Sequence, residues 1–161
     1  MKLWILRHGE AEPRTTTDEA RALTKHGRKE AEGAGHSLAK HAGAALVALA
    51  SPYRRAQETA AVALGEFKHT PTLLTVDWCT PEDDPREALK HLVTRPEAEL
   101  LLVSHMPFVS ALAGLLIHAD PSAGPSMHTG SLLELDLPTV GAGTAHLLSV
   151  RHPPEFKKAH S

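Results

Sequence analysis

Three separate stretches of the sequence place a cation or an imidazole after an apolar run. They contribute Arg7 with His8, then Arg55, then His105. Guanidinium groups bind phosphate oxygens through paired N–H donors of fixed geometry, and an imidazole with an unprotonated ring nitrogen can attack phosphorus. Two arginines and two histidines are therefore a set typical of a site that binds and transfers a phosphoryl group.

The residue that follows His8 indicates how this imidazole is oriented. A nucleophilic ring nitrogen needs the other nitrogen of the ring to be protonated and anchored. Gly9 is conformationally free enough to let a backbone carbonyl act as that anchor. His105 would then donate a hydrogen bond to the phosphoryl oxygens as charge develops. Because such catalysis depends on preorganised electrostatics, we expect neither a metal nor a cofactor.

Short apolar runs alternate with helical segments, and this alternation predicts the elements that carry these residues. Strands are predicted at 2–7, 46–50, 73–76, 100–103, 132–137 and 145–150, and helices at 24–40, 51–64, from 85 onwards, and at 107–117. Thr24 is predicted as an N-cap, and so is Ser51, with Pro52 at the first helical position. Gly33 and Gly35 weaken the prediction of the first helix.

This order of elements predicts an α/β fold, a three-layer sandwich with a mainly parallel central sheet and helices on both faces. In such sheets ligands bind beyond the carboxyl ends of the strands, which is where the three stretches lie. The length of 161 residues fits one domain. We predict a single domain over residues 1–151, followed by a C-terminal tail at 152–161.

The composition argues against several classes of function. A net charge of −2 gives no strong field for nucleic acid. Cys79 is the single cysteine, so the chain has no intrachain disulfide and no Cys-x-x-Cys motif. The uncharged stretch from Leu100 to Ala119 is interrupted by His105 and Pro107, so we interpret it as a buried strand, a turn and a buried helix. The N-terminal apolar run is too short for a signal peptide. We expect a cytoplasmic protein that binds neither nucleic acid nor membranes.

The sequence contains 12 histidines, and ten of them lie outside any motif. No His-Glu-x-x-His or His-x-His spacing occurs, so no zinc site is predicted. We expect these ten side chains to be exposed or half-buried. They are His26, His36, His41, His69, His91, His118, His128, His146, His152 and His160.

Four motifs occur in an order that resembles the histidine phosphatase superfamily, especially its small SixA-type phosphohistidine phosphatases. They are LRHGEAE at 6–12, ARALTKHG at 20–27, SPYRRAQETA at 51–60 and VSHMP at 103–107. The resemblance implies a phosphoglycerate mutase-like fold in which His8 becomes transiently phosphorylated. It also implies that Arg7, Arg55 and His105 complete the phosphate pocket, with Gly9 beside them.

The resemblance leaves the general acid open. Larger members of the superfamily carry a glutamate between the second arginine and the second histidine, and Glu82 is the nearest candidate in this chain. Asp18 and Arg21 precede the first helix, where they either form a structural pair or line the rim of the pocket. Thr129 and Ser131 either line the site from the last loop or stabilise a turn.

Two arguments favour phosphohistidine as the substrate. The phosphorus–nitrogen bond is labile and its leaving imidazole is easily protonated, so a strong general acid is unnecessary. A chain without a large insertion for a lid predicts an open pocket that admits a side chain of a folded protein. The resemblance thus implies a phosphohistidine-bearing partner in signal transduction, such as a phosphotransfer domain or phosphocarrier protein, and inorganic phosphate or another oxyanion in the pocket. We expect a monomer.

Three alternatives remain open from the sequence. A small phosphate-monoester phosphatase or mutase would use the same chemistry on a different substrate. A phosphorelay or binding module would hold phosphate on His8 without turnover. A zinc hydrolase would lose its activity with a chelator.

Overall fold

A six-stranded sheet forms the centre of the protein in the computed structural model, which describes residues 1–13 and 16–153. The strands are β1 (Lys2–Arg7), β2 (Val47–Ala50), β3 (Thr72–Thr75), β4 (Glu99–Ser104), β5 (Leu132–Asp136) and β6 (His146–Arg151). Their order across the sheet is β3-β2-β4-β1-β5-β6. The first four strands in this order are parallel to one another, and β5 is antiparallel to both β1 and β6. The prediction of a mainly parallel sheet is confirmed.

Four helices cover the two faces of this sheet. They are α1 (Lys25–His41), α2 (Arg54–Leu64), α3 (Pro85–Val93) and α4 (Phe108–His118). Alternate residues of β1 point to opposite faces, so Trp4 packs with α1 and α2 whereas Ile5 packs with α3 and α4. The protein is therefore the three-layer sandwich that the sequence predicts.

The two predicted N-caps have different outcomes. The Thr24 side chain accepts a hydrogen bond from the N–H of Gly27, which confirms the cap of α1. The prediction that Ser51 caps α2, with Pro52 at the first helical position, is wrong. The helix begins at Arg54, and Tyr53 is its N-cap residue without a side-chain cap bond. The Ser51 hydroxyl lies instead against an imidazole of the candidate site.

Gly35 is explained by the contact between α1 and α2. A Cβ atom at this position would lie 2.3 Å from the carbonyl oxygen of Ala63, which is closer than van der Waals radii allow. A glycine that lowers helix propensity is therefore required where the two helices touch.

The uncharged stretch from Leu100 to Ala119 forms most of β4, a turn and α4, as predicted. Within residues 1–13 and 16–153, no helix is long and apolar enough to cross a membrane. Cys79 is buried as a free thiol. Of the predicted tail, residues 154–161 lie outside the described residues, while His152 contacts the Ser131 hydroxyl through Nδ1 at 2.6 Å. The division at residue 151 stays a prediction.

Candidate active site

The carboxyl ends of β2, β4 and β1 are neighbours in the sheet, and they bring the predicted residues together. His8 directly follows β1, His105 directly follows β4, and Arg55 lies in the first turn of α2. The ring centroids of His8 and His105 are 5.2 Å apart. Arg55 Nε lies 3.4 Å from His8 Nε2. The parallel topology thus assembles into one site residues that are far apart in sequence.

His8 is held by its own backbone. Its Nδ1 lies 2.7 Å from the carbonyl oxygen of Gly9, and because a carbonyl only accepts, Nδ1 carries the proton. The neutral ring then has its lone pair on Nε2. The pKa of His8 is lowered to about 4, mainly by burial, with the charges of Arg55 and Arg7 acting in the same direction and the hydrogen bond to the Gly9 carbonyl opposing them. His8 is therefore neutral at pH 7.

Gly9 supplies this anchor and permits a close approach to α1. A Cβ at Gly9 would lie 2.3 Å from the carbonyl oxygen of Gly27. The N–H of Gly9 donates to Thr59 Oγ1 at 3.0 Å, so this amide is directed at a buried hydroxyl of α2. The Gly9 carbonyl thus anchors His8, as the sequence predicts for this position, while a part for Gly9 in binding phosphate stays a prediction.

Asp18 fixes the guanidinium of Arg55. The carbonyl oxygen of Asp18 accepts from one terminal nitrogen of Arg55 at 2.7 Å, and its Oδ2 accepts from the other at 3.2 Å. Arg21 donates to Oδ1 of the same carboxylate at 3.1 Å. Asp18 and Arg21 also line the pocket. The two alternatives left open by the sequence therefore hold together: the residues are an ion pair and they form part of the rim.

Arg7 enters the site from β1. One terminal nitrogen donates to the carbonyl oxygen of Met127 at 2.8 Å, and its buried Nε has no partner among the described residues. Burial is the main cause that lowers the pKa of Arg7, and the nearby carboxylate of Glu30 opposes it. A buried N–H without a partner is costly, and an anion beside Arg7 would accept from it.

His105 lies behind the pocket and is almost completely buried. Its Nε2 is 2.7 Å from Ser51 Oγ, and its Nδ1 has no partner in the described part of the chain. Burial, followed by the neighbouring His8 and Arg55, lowers the pKa of His105 to about 3. Tyr53 covers this ring, with 5.0 Å between the two centroids.

The open pocket in front of these groups has a volume of about 590 Å³. Glu10, Glu82 and Thr129 line it together with Arg7 and His8. Glu82, the candidate acid, is exposed on the loop before α3. Of the two residues proposed from the last loop, Thr129 reaches the pocket. The buried Ser131 instead accepts from the backbone N–H of His128 at 2.9 Å.

Sequence reasoning missed Glu30, a buried carboxylate of α1. It accepts from the N–H of Glu10 at 2.8 Å and from Thr129 Oγ1 at 3.0 Å, so it joins two loops that line the pocket. It also missed Tyr53 as a pocket residue. The position of Glu30 on the inner face of α1 is a detectable signal, because a charged residue there requires polar partners.

The remaining histidines follow the prediction wherever they are described. Nine of the ten are exposed or half-buried, and His160 lies outside the described residues. No group of three or more His, Cys, Asp or Glu side chains within residues 1–13 and 16–153 is arranged to hold a metal ion.

Comparison with known proteins identifies the family. Residues 3–78, which include Arg7, His8 and Arg55, match the sequence model of the histidine phosphatase superfamily (branch 1). The phosphohistidine phosphatase SixA homolog of Haemophilus influenzae is 33% identical over 126 residues, which are 72% of this chain and 77% of that protein. The chain belongs to the histidine phosphatase superfamily. It is therefore a phosphatase, and the resemblance seen in the four motifs is confirmed.

Solved structures of other phosphatases share the fold of this chain. The protein histidine phosphatase SixA, solved in complex with tungstate, has a TM-score of 0.85 at 23% identity, over 96% of this chain and 99% of that one. The alpha-ribazole phosphatase from Shigella flexneri has a TM-score of 0.71 at 17% identity, over 95% and 97% of the two chains. At these identities the likeness shows the fold alone.

Proposed function

We propose that this phosphatase removes phosphate from histidine side chains of other proteins through a phospho-His8 intermediate. The observation that carries the proposal is His8 itself: Nδ1 is bound to the Gly9 carbonyl and the lone pair of Nε2 lies beside Arg55. The SixA homolog that is 33% identical to this chain supports the substrate class. The tungstate bound to a SixA structure of the same fold supports an oxyanion as the pocket ligand.

In the first step, Nε2 of His8 attacks the phosphorus of the substrate. The new nitrogen–phosphorus bond forms as the bond to the substrate imidazole breaks, and that imidazole leaves with the electron pair and takes a proton from solvent water. Arg7 and Arg55 neutralise the phosphoryl oxygens, and His105 donates to one of them as charge develops. The depressed pKa of His8 keeps the nucleophile unprotonated at neutral pH.

In the second step, water attacks phospho-His8 in the same pocket. The bond between phosphorus and Nε2 breaks, inorganic phosphate leaves, and the water proton passes to phosphate or solvent. The Gly9 carbonyl keeps the Nδ1 proton in place throughout, so the ring returns to its starting tautomer. The cycle consumes one water and uses the side chains of the site together with the Gly9 carbonyl.

The pocket fits a substrate that remains attached to a folded protein. It opens at exposed residues, among them Glu10 and Glu82. A phosphotransfer domain or a phosphocarrier protein carries its phosphohistidine on a surface that can approach such an opening. We therefore propose a phosphohistidine-bearing protein as the partner. We also propose that the phosphatase itself acts in the cytoplasm as a monomer.

A second candidate function is hydrolysis of a phosphate monoester. The observation that favours it is the carboxyl group of Glu82 at the pocket, since an alkoxide leaving group needs a general acid. The two substrates are separated by comparing kcat/KM for a histidine-phosphorylated phosphocarrier protein with that for small sugar phosphates.

If phosphohistidine is the substrate, kcat/KM should be higher for the phosphoprotein than for sugar phosphates. Glu82→Gln should then dephosphorylate the phosphoprotein within about threefold of the wild-type rate. Activity should persist with a chelator. A preference for sugar phosphates that is lost in Glu82→Gln would favour the monoesterase. A stable phospho-His8 with no phosphate release would favour a phosphorelay module.

A further inference from the structure

The Ser51 side chain contacts His105, and the mechanism proposed above gives this contact no role. It is completely buried after β2, and its Oγ lies 2.7 Å from Nε2 of His105. The only other polar contact of this oxygen among the described residues is the backbone N–H of Tyr53, which donates to it at 3.3 Å. The hydroxyl therefore has one N–H donor and one imidazole nitrogen as its neighbours.

The direction of the bond to His105 follows from these two partners. A hydroxyl has one proton to donate, and the Tyr53 N–H cannot accept it. If His105 Nε2 carried the ring proton, the Ser51 proton would be a buried donor without an acceptor, which is unfavourable. If Ser51 donates to Nε2, the hydroxyl and Nε2 are both satisfied, and Nδ1–H of His105 is the one group of this pair left without a partner among the described residues. The other tautomer would leave two such groups, the Ser51 proton and the lone pair of Nδ1.

We infer that Ser51 is a positioning residue which holds His105 as the tautomer protonated on Nδ1. A neutral imidazole carries a single N–H, so accepting from Ser51 at Nε2 places that proton on Nδ1. Nδ1 is the ring nitrogen that is buried without a partner in the described part of the chain, beside the ring of His8 at 5.2 Å between centroids. An N–H at this position can donate to an anion, whereas the other tautomer would present a lone pair.

The consequence for catalysis rests on the proposed function. His105 can assist phosphoryl transfer without a positive charge, because Ser51 leaves its donor already aimed when the substrate arrives. Both imidazoles of the site would then be protonated on Nδ1, but this proton would have a different role in each ring. His8 uses Nδ1–H as an anchor and Nε2 as the nucleophile, and His105 uses Nε2 as the anchor and Nδ1–H as the donor.

The test reads the tautomer directly. Long-range nitrogen–proton NMR correlation of the wild-type protein, labelled with ¹⁵N-histidine, distinguishes Nδ1–H from Nε2–H rings. His105→Gln identifies the signal of this residue. We expect His105 as the Nδ1–H tautomer at pH 7. An Nε2–H ring in the wild-type protein would overturn the inference, whatever the variants do.

Kinetics of Ser51 variants provide the second readout. Ser51→Ala should lose roughly 10- to 100-fold in kcat with little change in KM, less than the 10²- to 10³-fold typical of removing a donor outright. Ser51→Thr, which keeps the hydroxyl, should restore most of that loss. Ser104→Ala is the matched control, since Ser104 is equally buried but its hydroxyl donates to the carbonyl of Cys79.

The two proposals fail in different ways. Wild-type kcat and an unchanged Nδ1–H signal in Ser51→Ala would overturn the role of Ser51 while leaving the proposed function intact. If the wild-type protein released no phosphate from phosphohistidine, the proposed function would fail. The tautomer in the free protein would still decide the inference about Ser51.

Discussion

At the scale of single residues, the site consists of polar groups whose buried atoms are only partly satisfied by the protein. His8 and Arg55 are almost completely paired, through the Gly9 carbonyl and Asp18 respectively. Arg7 Nε and His105 Nδ1 are buried without partners in the described part of the chain. Because unpaired buried groups are costly, their presence around one pocket indicates an anionic ligand that completes them.

The first prediction concerns the shape of the Arg55 guanidinium. Two of its nitrogens are bound to Asp18 while Nε lies beside His8, and lysine cannot reproduce this planar fork. Arg55→Lys should therefore lower kcat/KM by roughly 10²- to 10³-fold, although lysine retains the positive charge. Arg54→Lys is the matched control, because the preceding arginine is exposed and pairs with Glu58. Equal activity in the two variants would refute the geometric role of Arg55.

At the scale of elements, the sequence predicted the strands and helices better than the residues at which they begin and end. The six strands and four α-helices of the described residues were predictable, because apolar runs alternate with helical segments. The start of α2 was not, since a serine before a proline has the same local pattern whether its hydroxyl caps a helix or binds an imidazole. His105, which attracts that hydroxyl, lies 54 positions further along the chain.

The site shows the same division between local and long-range information. Arg7, His8, Arg55 and His105 could be identified because each lies at the end of a predicted strand or shortly after it, and these strands end at the same edge of the sheet. Tyr53 could not, because its importance depends on packing against the distant His105. Glu30 carried a signal, as a charged residue on the inner face of α1, but its partner Thr129 is distant in sequence and could not be predicted. The anchoring carbonyl of Gly9 was predictable because it adjoins His8 in the chain.

The second prediction concerns the contact between α1 and α2. Gly35→Ala would place a Cβ 2.3 Å from the carbonyl oxygen of Ala63, so the helices must separate. Overpacking of this kind costs about 1–3 kcal/mol, which urea denaturation can measure. Gly141→Ala is the control, because its Cβ would lie 3.4 Å from the nearest atom, the side-chain methyl of Thr144, which is an ordinary van der Waals contact. A Gly35→Ala protein as stable as the wild type would contradict the close packing seen here.

At the scale of the whole molecule, the buried site makes folding sensitive to acid. His8 and His105 have pKa values of about 4 and about 3 in the folded protein, compared with about 6.5 for an unperturbed histidine. Below pH 6.5 the two imidazoles bind protons in the unfolded chain but remain unprotonated in the folded protein. The contribution of the two imidazoles to the free energy of unfolding is therefore fully present above pH 6.5 and is lost as the pH falls through their folded-state pKa values, about 4 for His8 and about 3 for His105.

The third prediction follows from this difference in proton uptake. Between pH 6.5 and 5, each of the two histidines should lower the free energy of unfolding by about 1–2 kcal/mol. His8→Asn should flatten the dependence of stability on pH, measured by urea denaturation at several pH values. His69→Asn, at an exposed position, should leave the dependence unchanged. An equally steep loss in His8→Asn and the wild type would contradict the burial of a neutral His8.

The central claim, a covalent phosphate on His8, is tested most directly by trapping the intermediate. The protein is mixed with a ³²P-labelled phosphohistidine protein, quenched in alkali within milliseconds, digested and mapped by mass spectrometry. The label should appear on the peptide that contains His8, decay as inorganic phosphate forms, and be absent in His8→Asn. Release of phosphate by His8→Asn at the wild-type rate, or a label on another residue, would contradict this account.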